Sequence, residues 1–129
     1  MRSRATDLLQ AVAHFHDAFG VPVRYQPTMD VPEADTRAEL LREEYQELRE
    51  ALAGDDVAAV AKEMADVIYV LFGTALAYGI RLDAVLGEVH RSNMSKLGED
   101  GKPIYREDGK VLKGINYSPA NVRPLLGLA

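Results

Sequence analysis

The chain has 129 residues, 47% of them hydrophobic and 27% charged, so its composition is globular and excludes a disordered or fibrous protein. Its net charge of −5 argues against a nucleic-acid partner, because binding to a phosphate backbone needs a basic surface. The sequence contains no cysteine, which excludes disulfides and thiolate metal sites, and we expect a cytoplasmic protein.

Hydrophobic periodicity predicts two helices in the first half of the chain. The first helix is expected over residues 4–19, closing at Gly20, because apolar side chains recur there at helical spacing. Three prolines within residues 21–35 predict an irregular connection. A capping-box sequence, Thr36-Arg-Ala-Glu39, then predicts that a second helix begins there and runs to Ala53.

Two further helices are expected in the second half. Gly54 and Asp55 predict a stop followed by a new N-cap, so the third helix runs to about Tyr78 and ends at Gly79. Its apolar run, residues 67–78, is shorter than the roughly 20 residues of a membrane span, so it predicts a core helix and no membrane partner. The fourth helix is expected over residues 82–97.

The tail from Gly98 differs from the helical part. The turn dipeptides Asp100-Gly101 and Asp108-Gly109 are typical of a small β-hairpin, but an irregular arm wrapped on a helical body explains them equally well. We therefore predict a single all-α domain over residues 1–129, in which a four-helix bundle over about 4–97 precedes a short arm over 98–129.

Acidic residues occupy inward positions on the second helix. Glu44 falls inside an apolar arc of roughly 140° on a helical projection, and Glu47 lies just beyond the edge of that arc, near Leu40. An isolated ionised carboxylate on an apolar face costs several kcal/mol unless it is paired or binds a metal. Other glutamates of this helix, such as Glu39 and Glu50, fit an ordinary solvent-exposed face.

The third helix repeats the pattern with Glu63 and Asp66, which are three residues apart and therefore share one face. If the two helices are antiparallel, both acidic pairs lie roughly 10–13 Å from the turn between them and face each other. Four converging carboxylates repel one another, and divalent cations would compensate them. An all-oxygen site favours Mg²⁺, with Mn²⁺ able to replace it, because Zn²⁺ prefers histidine or cysteine.

Basic and amide side chains complete the predicted site. Asn93 and Lys96 project within the apolar side of the fourth helix, where Lys96 either holds a phosphate oxygen or extends its ammonium to water. Tyr105 and Arg106 of the tail are further substrate-binding candidates, although a solvated hairpin explains them as well.

Together these motifs resemble a known family. Glu44-x-x-Glu47 with Glu63-x-x-Asp66 is similar to the metal signature of the all-α nucleoside triphosphate pyrophosphohydrolases, a superfamily that includes the MazG-like proteins, the dimeric dUTPases and phosphoribosyl-ATP pyrophosphohydrolase. The doublet Glu43-Glu44 also matches the MazG-like pattern. Helix 4, with Asn93 and Lys96, and the tail are similar to a MazG-like branch grouped with the phosphoribosyl-ATP enzymes, so the resemblance covers residues 34–115.

The resemblance implies a homodimer or a dimer of dimers that hydrolyses a nucleoside triphosphate to the monophosphate and pyrophosphate. Mg²⁺ held by Glu44, Glu47, Glu63 and Asp66 would neutralise the phosphates and activate a water, which Glu43 or one of the ligands orients or deprotonates. Two alternatives stay open: a phosphoribosyl-ATP pyrophosphohydrolase, and a non-catalytic nucleotide-binding helical module that dimerises or regulates.

Overall fold

The computed structural model describes residues 3–129, and within that range it has four α-helices and no β-strand. The predicted all-α, four-helix class is confirmed. The chain forms two compact units, a first that ends at Leu82 and a second that runs from Asp83 to Ala129. The helices are α1 (Arg4–Phe19), α2 (Ala34–Leu52), α3 (Val57–Tyr78) and α4 (Leu82–Met94), followed by a 3-10 helix (Arg123–Leu126).

The predicted ends of α1 and α3 follow from local capping. The Ser3 hydroxyl accepts from the Thr6 amide at 3.0 Å and caps α1, which closes at Gly20 with a φ of 69°. The Asp56 carboxylate accepts from the Ala58 amide at 2.9 Å, so Asp56 and not the predicted Asp55 caps α3. Gly79 ends α3 with a φ of 72°, the left-handed conformation that favours glycine.

The predicted capping box of α2 is wrong. The helix begins at Ala34, so Thr36 already lies inside its first turn and cannot cap it. A turn from Val31 starts the helix, with the Ala34 amide donating to the Val31 carbonyl at 3.1 Å. Glu39, the expected reciprocal partner of the box, instead accepts from Arg42, with 2.9 Å between Nε and Oε2. The helix ends at Leu52, one residue before the predicted Ala53.

The core of the first unit lies between α1 and α3. Leu9 and Val12 of α1 pack with Phe72 and Leu76 of α3, and Val12 is fully buried. The connection between α1 and α2 is fastened to the end of α3, because the amides of Arg24 and Thr28 each donate to α3 carbonyls at 2.9 Å. The guanidinium of Arg24 also pairs with Glu33 and donates to the Ala77 carbonyl.

A buried arginine joins α2 to α3. Arg37 donates from Nε to the Thr74 hydroxyl at 3.0 Å and from Nη2 to the Val70 carbonyl at 2.7 Å. Gly73 gives the guanidinium its space, because a Cβ there would lie 2.5 Å from Arg37 Nη2 and 2.8 Å from Nε2 of the buried His16. Burial lowers the pKa of His16, and the positive charge of Arg37 adds to this shift.

The second unit consists of most of α4 and the arm. Glu88 accepts from Arg91 at 2.7 Å and from the Asn121 amide at 2.8 Å, and these hydrogen bonds lower the pKa of Glu88 to about 2. The arm is irregular and has one isolated antiparallel bridge, Tyr105 to Val111, among the described residues. Of the two predicted forms of the tail, the irregular arm is therefore the better description.

The fourth helix is shorter than predicted. It ends at Met94, whereas the sequence pattern suggested Leu97. The Ser95 hydroxyl donates to the Ser92 carbonyl at 2.6 Å and accepts from the Ser118 amide at 2.8 Å. The first hydrogen bond competes with the backbone hydrogen bonds of the helix, and the second attaches the arm at this point. Lys96 consequently lies in a turn beyond the helix.

In the part of the chain that the structure describes, no single helix has the length and apolar character to cross a membrane. By length and composition alone, α3 and α4 pass that test only when they are taken together as a bent pair.

Candidate metal centre

The structure brings four predicted acids together in the first unit. Glu44 and Glu47 come from α2, and Glu63 and Asp66 come from α3. One carboxylate oxygen from each of the four lies within 4.8 Å of the corresponding oxygen of every other. We call these four residues the acidic cluster.

The register of α2 against α3 explains why the cluster forms. Arg37, two helical turns before Glu44, contacts Val70 and Thr74, which follow Asp66 by one and two turns. As residue numbers increase along α2, the numbers of the α3 residues that they face decrease, so the two helices are antiparallel. In each helix the i, i+3 spacing then directs two carboxylates toward the facing helix.

The cluster leaves polar atoms without partners. Oε2 of Glu44 and Oε2 of Glu63 are buried and accept no hydrogen bond. Burial raises the pKa of Glu63; the nearby Lys62 opposes that shift, and the charges of Glu47 and Asp66 add to it. A buried acceptor without a donor destabilises the protein, and this penalty is larger when the acceptor is charged.

This donor set fits a hard divalent cation. All four side chains offer oxygen, the ligand type of Mg²⁺, Mn²⁺ and Ca²⁺. A cation bound among them would satisfy the two unpartnered oxygens and cancel the repulsion that burial intensifies. The residues present therefore suit a divalent metal, which would be held by Glu44, Glu47, Glu63 and Asp66.

The sequence analysis missed one residue at the cluster. The ammonium of Lys62 lies 2.7 Å from Oδ2 of Asp66 and 3.7 Å from Oε1 of Glu63. Its side chain is 68% exposed, compared with 17% for Glu63. The spacing of Lys62 and Asp66, four residues apart on one helix, was a visible signal for this pair.

Glu43 directly precedes Glu44 on α2 but is not one of the four grouped acids. It is exposed on α2 and lines a shallow cavity of about 340 Å³, together with Asp35, Thr36, Glu39 and Leu40. The cluster itself does not include Glu43. Its catalytic role stays a prediction.

The predicted substrate-binding residues belong to the second unit. Asn93 is exposed near the end of α4, and Lys96 is half-buried in the turn that follows, where its carbonyl accepts from the Gly114 amide at 2.8 Å. Tyr105 and Arg106 are exposed in the arm, and Arg106 donates from Nε to Asp108 at 2.9 Å. Their contacts with substrate stay predictions.

A family model described as phosphoribosyl-ATP pyrophosphohydrolase matches residues 12–93, which is more than half of the chain. The chain belongs to this family. The match includes all four acids of the cluster, and the predicted resemblance to the MazG-like, phosphoribosyl-ATP branch is confirmed. The description of this family names pyrophosphohydrolysis as its reaction.

Two individual proteins are also similar to this chain. The chain is 26% identical over 111 residues to "Uncharacterized protein L479" of Acanthamoeba polyphaga mimivirus, in an alignment that covers 82% of this chain and 42% of that protein. It thus spans less than half the length of that curated relative. A crystal structure of a candidate NTP pyrophosphohydrolase from Exiguobacterium sp. 255-15 is 24% identical and has a TM-score of 0.46, covering 93% of this chain and 91% of the other.

Proposed function

We propose that this protein is a Mg²⁺-dependent nucleoside triphosphate pyrophosphohydrolase that releases a nucleoside monophosphate and pyrophosphate. The observation that carries the proposal is the acidic cluster, in which four carboxylate oxygens from two helices lie within 4.8 Å of one another. Two of its buried oxygens have no hydrogen-bond donor in the protein, which supports an external cation as their partner. We also propose that the protein acts in the cytoplasm.

The chain's own residues would act mainly by positioning. In the reaction, a water oxygen bonds to the α-phosphorus, the bond from that phosphorus to the bridging oxygen breaks, and pyrophosphate leaves with that oxygen. Mg²⁺, when bound, supplies charge neutralisation at the phosphates and lowers the pKa of water. Glu44, Glu47, Glu63 and Asp66 would hold the cation, and a carboxylate, either Glu43 or one of these four, would accept the proton of the attacking water.

The substrate's phosphates need cationic partners as well. Asn93, Lys96, Tyr105 and Arg106 are the proposed substrate-binding residues, with the lysine and arginine contributing charge to the leaving pyrophosphate. Stabilisation of this kind acts where charge develops during bond breaking, so loss of Lys96 would lower kcat more than it raises KM.

We also propose a homo-oligomer, either a dimer or a dimer of dimers. Large apolar side chains are exposed along three helices of the first unit, including Phe19 (70%), Leu52 (57%) and Val57 (81%). On α3 the exposed set continues through Met64, Ile68 and Leu71. A contiguous exposed apolar helix face is typical of an interface, and a second copy of the chain is the proposed occupant.

Phosphoribosyl-ATP is the second candidate substrate. The specific observation in its favour is the family match, whose model carries the description phosphoribosyl-ATP pyrophosphohydrolase. Both candidates use the same cation site and the same bond cleavage, so only a direct comparison of substrates separates them.

The test is pyrophosphate release from a panel of dUTP, dCTP, dATP, ATP and phosphoribosyl-ATP, measured with Mg²⁺ and with excess chelator. We expect turnover of at least one nucleoside triphosphate that depends on Mg²⁺ and yields the monophosphate in equal amount. Turnover of phosphoribosyl-ATP alone would transfer the assignment to the second candidate. Tight nucleotide binding without any turnover would instead support the non-catalytic module.

A further inference from the structure

Lys62 is the cation that the protein itself supplies to the acidic cluster. Among the described residues, no other basic side chain lies within ion-pair distance of Glu44, Glu47, Glu63 or Asp66. Its ammonium contacts Asp66 at 2.7 Å and Glu63 at 3.7 Å. These acids raise the pKa of Lys62, and the more distant Glu44 adds to the same effect.

From this geometry we infer that Lys62 is a built-in counter-cation, which partly neutralises the acidic cluster without metal and is displaced when a divalent cation binds. The inference rests on the proposed function, because it takes the acidic cluster as the metal site. It assigns Lys62 a positioning role, since the lysine acts through the carboxylates and not on the substrate.

The contacts show why Lys62 can hold the cluster only in part. The ammonium reaches the α3 acids, but the buried Oε2 atoms of Glu44 and Glu63 still have no donor. A single positive charge at the rim therefore leaves the inner oxygens uncompensated. A divalent cation carries twice the charge and takes six or more oxygen ligands, so it would satisfy the same acids more completely.

The exposure of Lys62 makes this exchange feasible. Its side chain is 68% exposed and belongs to the same helix as both of its partners, so it can swing into water by rotation about its own bonds. Neither α2 nor α3 has to move. The four acids would remain within 4.8 Å of one another before and after the exchange.

The inference has two consequences of opposite sign. Without the Lys62 ammonium, a divalent cation would bind the acidic cluster more tightly, because no neighbouring positive charge would repel it. The metal-free protein, in contrast, would be less stable, because the four carboxylates would repel one another without a counter-charge. A lysine that served only as a surface residue would change neither quantity.

The experiment measures Mn²⁺ binding and the melting temperature of the full chain, without nucleotide, in wild type and in Lys62→Met. Mn²⁺ is the probe because its free concentration can be followed by electron paramagnetic resonance. For Lys62→Met we expect a Kd lower by about three- to tenfold at low ionic strength, together with a lower metal-free melting temperature. Added Mn²⁺ should therefore raise the melting temperature of the variant more than that of wild type.

Two control variants separate a local effect from a general one. Lys62→Arg keeps the charge, and we expect a Kd within about twofold of wild type. Arg49→Met removes one positive charge from an exposed position of α2, outside the cluster, and should also leave the Kd within about twofold.

An unchanged or weaker affinity in Lys62→Met, beside a wild type that binds Mn²⁺, would overturn the inference and leave the proposed metal site intact. Equal tightening in Arg49→Met would overturn it as well, because the cause would then be net charge. A wild type that binds no Mn²⁺ would refute the metal site itself, and the proposed function with it.

Discussion

Glu63→Gln should lower kcat/KM for the best substrate of the panel by about 100-fold or more, because it removes one of the four carboxylates that hold the cation. The substitution keeps the size and the hydrogen-bonding shape of the side chain. The variant's metal-free melting temperature should rise by a few degrees, since the amide removes one charge from a cluster of acids in which burial already raises the pKa of Glu63. Stability and activity would therefore change in opposite directions, as expected for a functional site.

The matched control is Glu50→Gln. This glutamate is exposed on α2, and the same chemical change there should leave kcat/KM within about twofold of wild type. Pyrophosphate release at several Mg²⁺ concentrations gives the activity, and differential scanning calorimetry gives the melting temperature. Full turnover by Glu63→Gln would remove Glu63 from the metal site.

Gly79→Ala should destabilise the protein by about 3 kcal/mol or more, which makes it the largest stability effect we expect from a single methyl group. Gly79 ends α3 with a φ of 72°, and a Cβ there would overlap the backbone carbonyl of Gln26. The connection cannot move away easily, because its Thr28 amide is bonded to the Tyr78 carbonyl at 2.9 Å. The substitution therefore combines backbone strain with a steric clash.

Gly20→Ala isolates the first of these two effects. Gly20 ends α1 with a φ of 69°, but a Cβ at this position would meet no atom within 4 Å. We expect a cost of about 1 kcal/mol from the left-handed conformation alone. Chemical denaturation of both variants gives the two free energies of unfolding. Equal losses would show that the contact between Gly79 and the connection contributes nothing.

The helices and the acidic cluster could be predicted because each depends on a short repeating pattern. Apolar residues at helical spacing located α1, and a stop followed by an N-cap located α3. Glycine in the left-handed conformation ends both helices at the predicted positions, Gly20 and Gly79. The cluster required only two i, i+3 pairs and a short antiparallel connection. The helices and the acidic pairs are local features of the sequence, and the packing of the first unit does not alter them.

The missed features depend on contacts between segments that are distant in sequence. Nothing near Arg37 indicates that its guanidinium is buried against Val70 and Thr74, because Gly73 provides the space from another helix. The early end of α4 depends on Ser95, whose hydroxyl accepts from the amide of Ser118 in the arm. Lys62 is different, because its spacing to Asp66 was visible but is also common on any charged helix.

The capping box at Thr36 shows a second kind of failure. Its sequence matches the motif, but the turn at Val31 makes Glu33 the N-cap of α2, three residues before Thr36, and Glu39 pairs with Arg42. The ion pair between Glu33 and Arg24 holds the segment that directly precedes α2. Local propensity was correct about the existence of the helix and wrong about its first residue, a common outcome where a connection is packed against the core.

The most direct test of the central claim is the position of Mn²⁺ in crystals of the protein grown with that ion, found by anomalous scattering at the manganese edge. We predict a peak between α2 and α3, coordinated by oxygens of Glu44, Glu47, Glu63 and Asp66, with the Lys62 ammonium turned away from Asp66. A map with no manganese among these four carboxylates at saturating concentration, or with the ion bound only elsewhere, would contradict the account.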